Sequence, residues 1–270
     1  MREVGAAAAW RGEPLGHYDV LARIRQRGAL INPLLEVPWV QASVCRADWL
    51  HVADQGVAAD FIGNALWVLQ ARCPGRSLAN RVAVLSTRLQ QYYEQNNIAE
   101  RVDVLLPSLF SQPRQGFKLR ASAAKTRAMV PFIDVCCREL LADGNDVEQT
   151  VTAAAACLRQ VYATLAEDSF LYADVARSQS INFALLWLAL HDVQNHDDDR
   201  CWRLKPKLHL FLHICSDGSR PARHWNYRDE DYGGAVARAA RRRGGVLSAP
   251  AVSKTVLERF WMQHPHFRMV

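Results

Sequence analysis

CRADWLHVADQGVAADFIGNALW, residues 45–67, has apolar residues at helical spacing, yet it sets Asp48, His51, Asp54 and Asp60 among Trp, Leu, Val, Ile and Phe. Apolar positions recurring three and four apart predict a helix, here over 48–72, stopped by Pro74 and Gly75. On an α-helix, Asp48, His51 and Asp54 fall within one broad stripe of a face, bordered by Trp49, Leu50 and Val52. Polar groups beside a core cost free energy unless they are paired or hold a cation. Two readings follow. Asp48 caps the helix start, where a carboxylate faces the positive end of the helix dipole. Alternatively, the side chains form one wall of a cation site.

Helical spacing recurs along the rest of the chain. Pro14, Gly16, Gly28, Pro33 and Pro38 break residues 1–44 into an irregular segment with one short helix in HYDVLARIRQRG. A helix is expected over 77–95 with Ser77 as its N-cap, and another over 119–142 kinked at Pro131. Further helices are expected over 146–168, 178–195, the stretch PKLHLFLHIC opened by Pro206, and 249–265. No fixed-period repeat and no set of alternating strands stands out, and short strands are expected only near the N-terminus. The pattern predicts a mainly α protein, with a helical bundle-like domain over 45–222 and a basic C-terminal segment over 223–270.

Composition excludes some classes. Half of the 270 residues are hydrophobic and 22% are charged, enough for a sizeable core. The longest apolar runs, INFALLWLAL (181–190) and LHLFLHIC (208–215), fall short of the roughly 20 residues that span a bilayer, so no membrane partner is expected. The N-terminal MREVGAAAAWRGEP has too short an apolar run for a secretion signal, which needs about 7–15 residues. Seven cysteines without a CxxC pair argue against a disulfide framework and fit a reducing compartment, nuclear or cytoplasmic. The net charge of +6 leans weakly toward a polyanionic partner.

Several motifs carry chemistry. His209 and His213 stand four apart, a spacing that can hold a metal, although Leu210 replaces the glutamate of a HExxH site; packed core histidines are the plainer reading. HDDDR (196–200) reads as a solvated loop or an unspecific divalent site. YRDEDYGG (227–234) precedes Arg238, Arg241, Arg242 and Arg243. These are either a solvated loop and face, or a metal-binding carboxylate beside arginines that hold nucleic-acid phosphates.

Taken in order, these pieces resemble the C-terminal portion of CACTA-type (En/Spm-like) DNA transposases. Asp48-Trp49-Leu50-His51, running into GVAADFIGNALW, is similar to the family's Asp-x-Met-His segment and to the following helix with its Asn and Gly; Leu50 takes the Met position. LKPKLHLFLHI is similar to a His-rich apolar helix of the family. Trp225-Asn226-Tyr227 through Glu230, then RRRGG and VLERF, resemble its later Tyr/Glu motif, Gly- or Lys-rich helix and acidic terminal helix. The likeness covers 30–72 and 203–262 best.

The resemblance implies a ribonuclease-H-like core with a helical insertion, in which three acids hold two Mg²⁺ or Mn²⁺ ions. One ion would activate the attacking water or 3′-hydroxyl and the other would stabilise the leaving oxygen. Asp48 then corresponds to the second catalytic, metal-binding acid and Glu230 to the third, with His51, Asp54, His209 and His213 in support. The first acid should lie on a strand well upstream. Only 47 residues precede Asp48, and their acids, Glu3, Glu13, Asp19 and Glu36, lie in no strand-like apolar run. The expectation is a truncated core: a transposon-derived, catalytically incomplete protein with DNA as its partner. The alternative is a helical module that binds nucleic acid or protein and has no enzymatic activity.

Overall fold

The structure, a computed structural model, divides into two compact units, Met1–His224 and Trp225–Val270. It describes residues 16–38, 40–41, 46–112, 116–166, 173–194 and 201–216 of the first unit, and 225–227, 233, 234, 237, 254 and 258 of the second. In the second unit, Trp225 stands edge-on to Tyr227 with ring centroids 5.3 Å apart.

The first unit is helical. It runs through α1 (His17–Gln26), a 3₁₀ turn (Pro33–Glu36), a π-helix (Leu50–Ala58) continuing into α2 (Ala59–Ala71), α3 (Leu78–Gln95) and α4 (Pro107–Phe110). After a hairpin come α5 (Ala123–Leu140), α6 (Asp146–Ala163), α7 (Ala173–Gln194) and α8 (Pro206–Ser216). The hairpin pairs two-residue strands antiparallel, β1 (Ser111–Gln112) and β2 (Gly116–Phe117), the only strands among the described residues. The mainly helical fold therefore stands. The ribonuclease-H-like core is not supported, because the described apolar segments bury helical stripes rather than the alternating faces of a sheet.

Local chemistry fixes the helix starts. Ser77 Oγ accepts from the Asn80 amide at 3.2 Å, and Ser122 Oγ from the Lys125 amide at 3.4 Å. Asn145 and Glu148 form a reciprocal capping box, with bonds of 3.0 and 2.9 Å. Glu148 also receives the Arg72 guanidinium, which holds its carboxyl below the usual range against the opposing effect of burial. Pro131 lies inside α5 without ending it.

The opening stretch is not one α-helix. Residues 50–58 close i→i+5 turns, a rare geometry found often at functional sites. Residues five apart therefore stack where four apart would stack on an α-helix. Trp49 Nε1 donates to Asp54 Oδ1 at 3.2 Å across that interval. Gly56 makes room alongside: a Cβ there would sit 3.0 Å from the His51 carbonyl and 2.6 Å from the Lys207 side chain. Lys207 Nζ uses this room to donate to the His51 carbonyl at 2.7 Å.

The π-helix packs against α2, α5 and α8, while α5, α6, α7 and α8 pack in succession. An aromatic chain joins them. Phe61 of α2 meets Phe183 and Trp187 of α7 and Trp202, at centroid distances of 5.3, 6.1 and 5.7 Å. Phe211 of α8 links Phe183 to Trp49, which stands edge-on to Tyr162 of α6 at 5.4 Å. Each such pair adds about 0.5–1.5 kcal/mol beyond the area it buries. Cys73, Cys136, Cys137, Cys157 and Cys215 are free thiols. Burial pushes Cys136 and Cys215 up to about 12, so these are packing residues rather than nucleophiles. No helix among the described residues is long and apolar enough to cross a membrane.

Candidate functional site

Asp48 lies where the helix begins. Its Oδ1 accepts from the Leu50 amide at 3.3 Å and its Oδ2 from the His51 amide at 3.0 Å, while the Asp48 carbonyl takes the Val52 amide. This is the N-cap arrangement, and the His51 ring adds an Nδ1 contact to the same Oδ2. Asp48→Ala is expected to lower stability by about 0.5–2 kcal/mol, the usual worth of an N-cap, measured by urea unfolding.

The stripe expected for Asp48, His51 and Asp54 is divided by the π turn. The His51 side chain is 49% exposed and Asp48 12%, whereas Asp54 is 0% exposed. Asp54 faces the interior. Tyr162 OH donates to its Oδ1 at 2.6 Å, Trp49 Nε1 donates to the same atom, and Arg127 of α5 lies 3.5 Å from Oδ2. A carboxylate buried between a phenol, an indole and a guanidinium has its charge answered within the fold.

His209 and His213 lie together on α8, with their Nε2 atoms 3.0 Å apart. Glu230, Arg238, Arg241, Arg242 and Arg243 lie outside the described residues, as does HDDDR at 196–200. Among the described residues no three His, Cys, Asp or Glu side chains gather as a metal site. Asp48 accepts two backbone amides as a cap, and Asp54 lies beside Arg127.

A different set of side chains does converge. Residues 116–121 cross α2 at Gly63, where a Cβ would lie 2.5 Å from both the backbone N and Cα of Lys118. The crossing is held by Leu119 N donating to Ala59 O at 2.8 Å and by Phe117 stacking on Trp67 at 4.4 Å. Asn64, buried, donates to Asp60 O at 2.7 Å and Phe117 O at 3.2 Å, and accepts from Trp202 N at 3.0 Å. That last bond fixes Trp202 at φ 47, a left-handed backbone that a bulky residue rarely adopts. Lys205, three residues on, then reaches Asp60 Oδ1 at 2.8 Å.

The result is a cleft of about 490 Å³ lined by Gln55, Ala59, Gly116, Lys118, Leu119, Arg120, Ala121 and Lys205. Burial holds the Lys118 ammonium below its ordinary value. Asp60 pulls it back up, and Lys205 and Lys207 push it further down. Lys118, Arg120 and Lys205 thus share one half-enclosed space, with Lys205 paired to Asp60.

The chain matches no protein-family model, no curated protein and no solved structure.

Composition and motif spacing did not point to the cleft, because its cations, Lys118 and Arg120 on one side and Lys205 on the other, lie far apart in the chain. The available signal was Gly63-Asn64 in an otherwise bulky apolar helix. A glycine there marks a close backbone approach, and a buried amide marks a crossing that must be satisfied.

Proposed function

We propose that this chain is a transposon-derived helical protein that grips the phosphates of nucleic acid and does not cut them. The observation that carries the reading is the cleft, where Lys118, Arg120 and Lys205 line one concave surface and burial holds the Lys118 ammonium below its ordinary value. Phosphate oxygens suit ammonium and guanidinium groups in a partly enclosed site. The basic stretch at Arg238 and Arg241–Arg243 would add further phosphate contacts. Mg²⁺ or Mn²⁺ at Asp48 and Glu230 belongs to an intact transposase, and the capping role of Asp48 supports a site no longer used for cleavage. A DNA partner goes with action in the nucleus, or in the cytoplasm for RNA.

The test is fluorescence anisotropy with a labelled duplex over a series of salt concentrations. Each phosphate contact should contribute about 0.9 to the slope of log affinity against log salt. Replacing Lys118, Arg120 and Lys205 together by glutamine is expected to reduce that slope by about 2–3. If affinity falls only when Arg241–Arg243 are replaced, the cleft is not the nucleic-acid site. A second reading, a protein-binding module, rests on Tyr18, Leu30 and Leu34, which are 83%, 97% and 64% exposed.

A further inference from the structure

We propose that His209 and His213 form a two-nitrogen chelate for a first-row transition-metal ion, Cu²⁺ or Ni²⁺, on the outer face of α8. The two rings stand one helical turn apart, with Nε2 atoms 3.0 Å from each other and ring centroids 4.5 Å apart at 87°. The nitrogens are closer than the centroids by 1.5 Å (4.5 − 3.0), so they face one another. His213 is exposed and His209 partly so, while their neighbours Phe211 and Leu212 are fully buried and hold the helix in place.

Bond geometry selects the class of ion. With metal–nitrogen bonds of about 2.1 Å, nitrogens about 3.0 Å apart subtend about 90°, the cis angle of square-planar and octahedral ions. A tetrahedral ion would need about 3.4 Å. Imidazole also favours Cu²⁺ and Ni²⁺ over oxygen-seeking Mg²⁺ and Mn²⁺. Without metal, the contact is an N–H···N hydrogen bond, with one ring donating through Nε2. Binding needs that Nε2 to be free of its proton. Both Nε2 lone pairs then point at the ion.

The site is independent of the nucleic-acid reading, since it uses none of the cleft residues. The test is isothermal titration of CuCl₂ and of NiCl₂ into the full chain at pH 7.5, with electron paramagnetic resonance on the copper form. A saturable one-to-one event with two equatorial nitrogens is expected, unaffected by excess Mg²⁺. H209A and H213A should each lower affinity at least about tenfold, equivalent to one lost ligand interaction. H17A, on α1, should leave it unchanged. Binding that survives both single variants, or a spectrum with one protein nitrogen, would overturn the proposal. Loss in only one of the two variants would do the same, because it assigns a single imidazole. Both histidines are accessible, and unchanged thermal unfolding of the metal-free variants separates lost chelation from lost fold.

Discussion

Asp54→Ala is expected to lower the free energy of unfolding by about 3–5 kcal/mol, the cost of leaving a buried charge network without its acceptor. The truncation would strip Tyr162 OH of its bond at 2.6 Å and Trp49 Nε1 of its bond at 3.2 Å, both inside the core. It would also leave Arg127 facing a small cavity. The Arg127 side chain is 31% exposed and can turn toward water, which favours the lower half of that range. Asp54→Asn keeps an oxygen for the phenol and the indole, and should cost about 1–3 kcal/mol. Urea unfolding gives both values, and near-ultraviolet circular dichroism should report loosening around Trp49. A change under about 1 kcal/mol in Asp54→Ala, accompanied by lost Mn²⁺ binding, would mean that the carboxylate serves an ion rather than the fold.

Gly63→Ala is expected to destabilise by about 1–3 kcal/mol, although alanine is intrinsically the better helix former by about 1 kcal/mol. The conflict is with backbone: the new methyl would lie 2.5 Å from Lys118 N and Cα and 2.7 Å from Phe117 C, and no rotamer change removes it. Residues 116–121 would have to lift from α2, at the expense of the Leu119–Ala59 and Asn64–Phe117 bonds and the Trp67–Phe117 stack. Lys118 and Arg120 ride on that segment, so the proposed nucleic-acid binding predicts a weaker salt dependence in parallel. Leucine at the same position should do both more strongly. Unfolding curves and anisotropy on the same preparations check the pair of effects. A Gly63→Ala protein as stable as the parent would mean that the segment does not sit on α2.

Much of the fold was legible because apolar spacing is a direct record of which face a helix buries. Ser77, Pro206 and the apolar stripe of 146–163 announce their helices through capping, a preset φ and a buried face. The start of α7 at Ala173 was not legible, since its first turns are mostly exposed and carry no strong stripe. Nor was the π turn. Counting in steps of three and four grouped Asp48, His51 and Asp54 on one face, whereas the i→i+5 geometry turns Asp54 inward against Trp49. The cationic cleft was hidden for another reason. It depends on a tertiary crossing that the sequence marks only by Gly63 and Asn64.

The π-helix also gives this stretch a property that the other buried helices lack, slack in chain length. A ring closed i→i+5 holds one residue more than one closed i→i+4. The same indole–carboxylate stacking would be made by an α-helix one residue shorter between Trp49 and Asp54. Shortening there can be taken up by returning one turn to α, and the two ends of the helix keep their directions. In α5 or α6 the loss of one residue would instead swing every following side chain by about 100° around the axis. The segment that holds the buried carboxylate is thus sensitive to which residues it contains and forgiving in how many.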